Sequence, residues 1–337
     1  MATGICKLTN LGNTCYMNSI FQILTHTPEL TSILINAKPT TTSIRSDAYE
    51  LVYFWKELMR TVYGHPSIQT ITPRSLVNCI RKLSVKRSKI GYDNTNQHDA
   101  SEFIVFIMET FHIAISYKAN LKSSRHITEP IGIEYYARLN NLYASNYSDI
   151  IKSFYGMIIT EMIDPQTSDV LTRTFDPYFI VNASVPVEME SISLYDCLDT
   201  VFGEEILDES NMWINPETKE LQEVIKKTSI WNIPCILVVN LKKYTQTSKL
   251  HHPINIPHAL DMSEYIHSLV ETNSEYVLYA VCNHTGSLNS GHYYSYVFVA
   301  HLNSWICLND AEMPRKISTD AVITPQAVCL FYRRNSP

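Results

Sequence analysis

Residues 7–24 read KLTNLGNTCYMNSIFQIL, and the rest of the chain is organised around them. The residues before Cys15 are loop-like. After it, Tyr16, Met17, Ile20, Phe21, Ile23 and Leu24 recur at helical spacing, the mark of an amphipathic or buried helix. Asn13 or Thr14 can cap this helix, since either side chain accepts from the free N–H groups of a first turn. Gly12 permits the tight backbone that such a turn needs. Cys15 then falls at or near the first helical position, where the partial positive charge favours thiolate over thiol. Unpaired N–H groups of that turn can bind an oxyanion, and Asn10 can add a side-chain amide donor. Two readings of Cys15 stand side by side: a small, inert residue buried under a helix, or a nucleophile.

The composition narrows the class. A chain of 337 residues makes one large domain or two ordinary ones. With 45% apolar and 18% charged residues it has ample core for a soluble globular protein. A net charge of -6 argues against a nucleic-acid surface and suits a partner with a basic segment. The eight cysteines are scattered, with no CxxC spacing. In a long chain without a signal peptide they read as free thiols of a reducing compartment, cytoplasmic and/or nuclear. No apolar run reaches the roughly 18 residues of a membrane span. TTTS at 40–43 is a short polar loop.

From Leu11 to about Tyr117 the pattern is helical. Asp47–Val62 carries Leu51, Val52, Phe54, Trp55, Leu58, Met59 and Val62 on one face, with Ser46 or Asp47 as cap, and ends near Gly64-His65-Pro66. Thr72-Pro73 opens a helix over Pro73–Leu83, with proline in the first turn. The basic run Lys82–Lys89 reads as a solvated loop. Asn96–Phe111, NQHDASEFIVFIMETF, is a helix whose early Asp99 and Glu102 share a face, where carboxylates are favourable as caps. Residues 118–150 suggest one further helix. Beyond them Phe154–Met162 and Tyr178–Val187 alternate as strands, with a turn at Asp164–Ser168. Ser191–Phe202 is helical, and Ile236–Val239 within Trp231–Tyr244 reads as a buried central strand. His251 and His252 read as solvated loop residues rather than metal ligands.

A cysteine nucleophile needs a base, and the base needs a third group to orient it. Strand patterns at 276–281 and 292–299 flank a loop with Gly286 and Gly291, and a further strand, Trp305–Asn309, follows a turn. Antiparallel pairing about residue 302 brings His292 to the same end as Asn309 and Asp310. His284 and His292 both flank the same loop, and spacing alone does not choose between them.

Three segments resemble a known family. LTNLGNTCYMNS is similar to the Cys box of the ubiquitin-specific proteases, papain-like deubiquitinating enzymes. QHDASEF resembles their QxDxxEF-type motif, and NHTGSLNSGHYYSYV with WICLND resembles their His box and the segment that follows it. The resemblance covers nearly the whole chain, in the order Cys…His…Asn. It implies an α+β, papain-like fold in one catalytic domain over 1–337. The helical thumb would cover about 1–150. The fingers, with part of the palm, would cover about 151–230, and the palm about 231–337. It selects His292 as base and Asn309 as orienter; Asp310, next to Asn309, is an alternative or auxiliary orienter, and Asn10 is the added oxyanion donor. It also implies that Asp99 binds the arginine-containing tail of ubiquitin, while Gln97 and Glu102 keep the capping role. Gly291 would suit a narrow tunnel for a Gly-Gly tail. Relatives often carry a finger zinc on two CxxC pairs, but no cysteine lies between Cys79 and Cys197 here, so a zinc-free fingers region is expected. The implied activity is thiol-dependent hydrolysis after the last glycine of ubiquitin, without cofactor, with ubiquitin and ubiquitinated proteins as partners. An inactive ubiquitin-binding scaffold and a protease for another ubiquitin-like modifier are the alternatives.

Overall fold

The structure, a computed structural model, describes residues 4–37, 47–65, 67–87, 91–92, 96–121, 129–244, 249–287 and 290–335. The loop at 40–43, a cap at Ser46, Pro66 and the end of the basic run at 88–89 lie outside the described residues.

The frame is an eight-stranded sheet. Its order is Arg315–Ile317, Ser304–Leu308, Gly291–Val299, Glu275–Gly286, Ala327–Arg334, Ile236–Lys242 and Ile180–Ser184, with short Ala259–Asp261 beside the start of Glu275–Gly286. Its pairs are antiparallel except the last, Ile180–Ser184 beside Ile236–Lys242. The Ile236–Val239 run is continuously apolar because both faces of the sheet are covered. Side chains alternate across a strand, so Ile236 and Val238 join the core under the helices, whereas Leu237 and Val239 join a second core on the opposite face. Helix Leu194–Phe202 packs on that opposite face, started by a capping box between Ser193 and Asp196. Its first helical residue is three later than the sequence pattern suggests, because Ile192–Ser193 forms a short strand with Ile254–Asn255.

Helices Cys15–Thr25, Pro28–Asn36, Asp47–Gly64, Arg74–Arg87 and Ala100–Ile115 build the other layer. All eleven residues of Cys15–Thr25 are buried. This helix lies between the helical layer and the strands Glu275–Gly286 and Gly291–Val299. Trp55, Phe21, Phe103 and Phe111 meet edge-on around it.

Further expectations are corrected. The basic run read as a loop from Lys82 is helical as far as Arg87, the end of helix Arg74–Arg87. The Ala100 helix starts four residues later than the sequence pattern suggested, since Asp99 is its cap and has extended dihedrals. Among the described residues of 118–150 there are two helices, Pro130–Tyr143 and the start of Asp149–Phe154, rather than one; their frequent polar and tyrosine residues blur the helical period. The turn at Asp164–Ser168 leads into Val170–Tyr178, and the strand after that, Ile180–Ser184, belongs to the large sheet. One apolar-alternating stretch thus supplies strands to two sheets.

The second sheet has the order Val170–Tyr178, Gly156–Ile163, Val224–Asn232 and Glu204–Leu207, with a small Trp213–Ile214/Leu221–Gln222 pair as a separate ladder. Its apolar face, with Met157, Ile159, Phe175 and Trp231, is covered by helix Pro130–Tyr143 through Ile131 and Tyr135. Arg173 donates to Glu161 at 2.8 Å across neighbouring strands. These strands carry no cysteine, so their donors do not fit a tetrahedral sulfur site.

Candidate active site

The loop before the Cys15 helix is wound around one carboxamide. Gly12 and Asn13 take left-handed φ angles of 91° and 49°. Asn10 Oδ1 then accepts from the N–H groups of Gly12 at 3.0 Å and Thr14 at 3.2 Å, and from the Thr14 hydroxyl at 3.2 Å. Thr14 holds the N-cap position, but its Oγ1 accepts from the Leu11 N–H at 2.8 Å and makes no cap bond to the helix. Thr14 therefore gives the helix no side-chain cap. The hydroxyl serves the loop, and the first-turn N–H groups receive no side-chain acceptor from it.

Cys15 opens the helix directly under the strand that begins at Gly291. His292 is the second residue of that strand, and the Cys15 side chain is the strongest influence on its ring. Its Nε2 donates to Asn309 Oδ1 at 2.5 Å, which leaves Nδ1 as the ring nitrogen for the sulfur. The His292 pKa is raised to about 9, first by the bond to Cys15, against burial, then by Asn309 and by the charges of Cys15 and Asp310. The hairpin explains the meeting. Ser295 lies opposite Leu308, so the residues just before one and just after the other converge.

Asp310 follows with a left-handed φ of 43°, a conformation that aspartate tolerates better than most residues. Its carboxylate accepts from Asn18 at 2.8 Å and from Asn10 at 2.8 Å, while its nearer oxygen is 4.0 Å from His292 Nε2. Its carbonyl accepts from the Leu8 N–H at 2.8 Å. Asp310 thus fastens the loop and the Cys15 helix to the hairpin, and its contact with His292 is electrostatic rather than a hydrogen bond. Asn10 gives an amide hydrogen to Asp310, so it is held by the site as well as facing it.

His284 has different surroundings. Its Nδ1 lies 2.8 Å from the Tyr244 hydroxyl and 3.0 Å from Lys249 Nζ, and its ring packs at a tilt against Tyr293 with centroids 4.4 Å apart. Burial, then the Lys249 charge, lowers its pKa to about 4. Of the two candidate histidines, the structure brings His292 to Cys15.

Asp99 is the N-cap that the sequence allowed. Its Oδ1 accepts from the Ser101 N–H at 2.6 Å, the Ser101 hydroxyl at 2.5 Å and the Glu102 N–H at 3.2 Å. It also lines a cavity of about 240 Å³ with Gln97, His98, Tyr244, His284 and Tyr293. The cap comes from Asp99, not from Gln97, which was expected to share that role. Gln97 instead bonds the Gly291 peptide, with Nε2 donating to the carbonyl at 2.7 Å and the Gly291 N–H donating to Oε1 at 2.9 Å. Gly291 has a packing reason of its own: a Cβ there would lie 2.1 Å from His284 Nε2 and 2.3 Å from the Thr285 carbonyl oxygen. Sequence reasoning missed Asn18 and the reach of Gln97. Only the nearness of Gln97 to Asp99 and of Asn18 to Cys15 could have hinted at either. Among the described residues no three His, Cys, Asp or Glu side chains converge as a metal site needs.

A sequence model of the ubiquitin carboxyl-terminal hydrolases matches residues 6–332. The chain belongs to this family. Among its relatives, ubiquitin carboxyl-terminal hydrolase Usp2 of Drosophila melanogaster is 29% identical over 98% of this chain and 35% of its own length. Human ubiquitin carboxyl-terminal hydrolase 2 is 29% identical over 100% of this chain and 56% of its own. The chain thus spans about a third to a half of these relatives. In three dimensions it resembles the SAGA deubiquitinating module Ubp8/Sgf11/Sus1/Sgf73 bound to monoubiquitin. The TM-score is 0.74 at 24% identity, covering 100% of this chain and 71% of that one. The same module bound to ubiquitin aldehyde also gives 0.74, at 22% identity over 99% and 70%. The fold of this hydrolase-family chain is accordingly α+β and papain-like, as the Cys and His boxes implied. No helix among the described residues is long and apolar enough to cross a membrane.

Proposed function

We propose that this chain is a cysteine deubiquitinase that hydrolyses the isopeptide or peptide bond after the C-terminal glycine of ubiquitin. The observation that carries the reading is the Cys15–His292–Asn309 constellation, assembled from two ends of the chain inside a family of ubiquitin hydrolases. In this reading the Cys15 sulfur, paired with the His292 imidazolium, attacks the carbonyl carbon of the last glycine. The oxyanion is met by N–H groups of the helix start, which the Thr14 hydroxyl does not cap, and by the Asn10 amide hydrogen not given to Asp310. His292 then protonates the leaving amine, and the thioester is released by a water that His292 deprotonates. Asn309 holds the ring through a carbonyl, without adding negative charge.

The partner follows from the same site. Asp99 spends Oδ1 on its helix and keeps Oδ2 for the guanidinium of an arginine-containing tail, in a cavity next to the reacting groups. Gly291 walls that side of the cleft. We assign the helical part up to Phe154 as thumb, the four-stranded sheet with its small hairpin as fingers and the eight-stranded sheet as palm. The free cysteines, all but one of the eight buried, suit a reducing compartment of the cytoplasm or nucleus.

The test is cleavage of fluorogenic C-terminal amides of ubiquitin and of several ubiquitin-like modifiers. Release from ubiquitin by the wild type and none by Cys15→Ala is expected. Equal residual activity in the two would refute the nucleophile. Preference for another modifier would refute the substrate.

A further inference from the structure

Gln97 spans the cleft. Its carboxamide reaches from the arm ahead of the Ala100 helix to a peptide on the His292 strand, and it bonds both the carbonyl and the N–H of Gly291. In an antiparallel sheet the N–H and C=O of one residue point to the same side. Gly291 lies opposite Gly286 on one edge of its strand. On the other edge the next strand joins only from Ser295 onward, opposite Leu308. Gln97 fills the ladder position that this open edge leaves, as a neighbouring strand's residue would. The Gly291 peptide is thereby held between the Gln97 amide and the His284 ring, which approaches closely because there is no Cβ. The next residue is His292.

We infer that Gln97 is a positioning residue: by fixing the Gly291 peptide it sets where the His292 ring meets Cys15, and it ties the helical layer to the palm strand at the reacting end. The inference rests on the thiol chemistry proposed above. The titratable and charged groups around His292 are Cys15 from the buried helix, Asp310 beyond the hairpin and His284 from the adjoining strand. Asp99, Tyr244, His284 and Tyr293 share the Gln97 cavity.

Two substitutions test it. Gln97→Ala removes both bonds. Gln97→Glu keeps the acceptor for the Gly291 N–H, but an ionised carboxylate opposes the Gly291 carbonyl. Once protonated, the acid donates again with nearly the original shape. The first readout is the pH profile of Cys15 alkylation by iodoacetamide, which needs no occupied cleft. The second is kcat and KM for a ubiquitin C-terminal amide. Gln97→Ala should lower kcat about tenfold with KM within about twofold, as expected when hydrogen bonds that align a reacting group are lost. It should also displace the alkylation profile, with the circular dichroism of the folded protein unchanged. The Gln97→Glu deficit relative to wild type should shrink as pH falls from 7.5 toward the carboxyl range near about 4.3. Wild-type alkylation profiles and kcat in both variants would overturn the inference, and so would an effect confined to KM. If Gln97→Ala does not fold, the pH-reversible deficit of Gln97→Glu decides. If the wild type cleaves no modifier, the substrate reading fails while the alkylation profile still judges Gln97.

Discussion

Replacing Asp310 by Asn changes one atom and one charge at the point where three parts of the site are fastened together. The carboxylate accepts from Asn18 and Asn10, each at 2.8 Å, and one oxygen lies 4.0 Å from His292 Nε2. An amide in its place keeps one acceptor and turns an NH2 toward one of the two asparagine donors. Asn18 is 1% exposed, so its amide cannot turn to water. A hydrogen bond to a charged group contributes about 1.5–3 kcal/mol, less where solvent competes, as it does at exposed Asn10. Losing one such bond and weakening the other costs the site about 2 kcal/mol. Asparagine also tolerates the left-handed φ, so backbone strain adds little. At about 1.4 kcal/mol per decade, kcat/KM should fall about 30-fold. The assay is steady-state hydrolysis of a ubiquitin C-terminal amide, with circular dichroism to show an intact fold. A kcat/KM within threefold of wild type would show that Asp310 does not organise the Asn10 loop for turnover.

The Cys15 bond is the first cause of the raised His292 pKa, so Cys15→Ala should return the ring's NMR titration from about 9 toward its ordinary 6.5. A midpoint still near 9 would place the cause elsewhere. The sign for stability follows: a raised histidine contributes stability fully present below about 6.5 and lost as pH rises through about 9. The wild type should therefore lose more stability than Cys15→Ala over that window. Gly291→Ala puts a methyl within 2.5 Å of the His284 ring and the Thr285 carbonyl. Overpacking of this kind costs about 1–3 kcal/mol, to be read from urea unfolding. An unchanged midpoint would mean that the strand yields freely.

The parts of this molecule written in local pattern were legible in the sequence. Helices Cys15–Thr25 and Asp47–Gly64 follow their apolar period, and the Ile236–Val239 run follows from a sheet covered on both faces. The turn between Val299 and Ser304 placed His292 beside Asn309 before any coordinates. Choosing His292 over His284 needed the family resemblance, because strand ends look alike until their neighbours are known. What stayed hidden depends on partners far along the chain. Thr14 looks like a cap, yet Leu11 and Asn10 compete for its hydroxyl and win. Gln97 sits in a segment whose first turn suggests capping, while its partner lies 194 residues away. The stretch around 170–187 was misjudged because alternation marks a strand without saying which of two sheets receives it.

The Cys15 helix has no outward face. Its walls include strands Glu275–Gly286 and Gly291–Val299, and the loop ahead of it is pinned through Leu8 to the carbonyl of Asp310. During synthesis on a ribosome, the helix can pack on the helices that follow it, but its strand-facing side and Cys15 have no His292 to meet until residues beyond 290 have been made. For the deubiquitinase proposed above, the capacity to cut would then arrive in one late step of assembly.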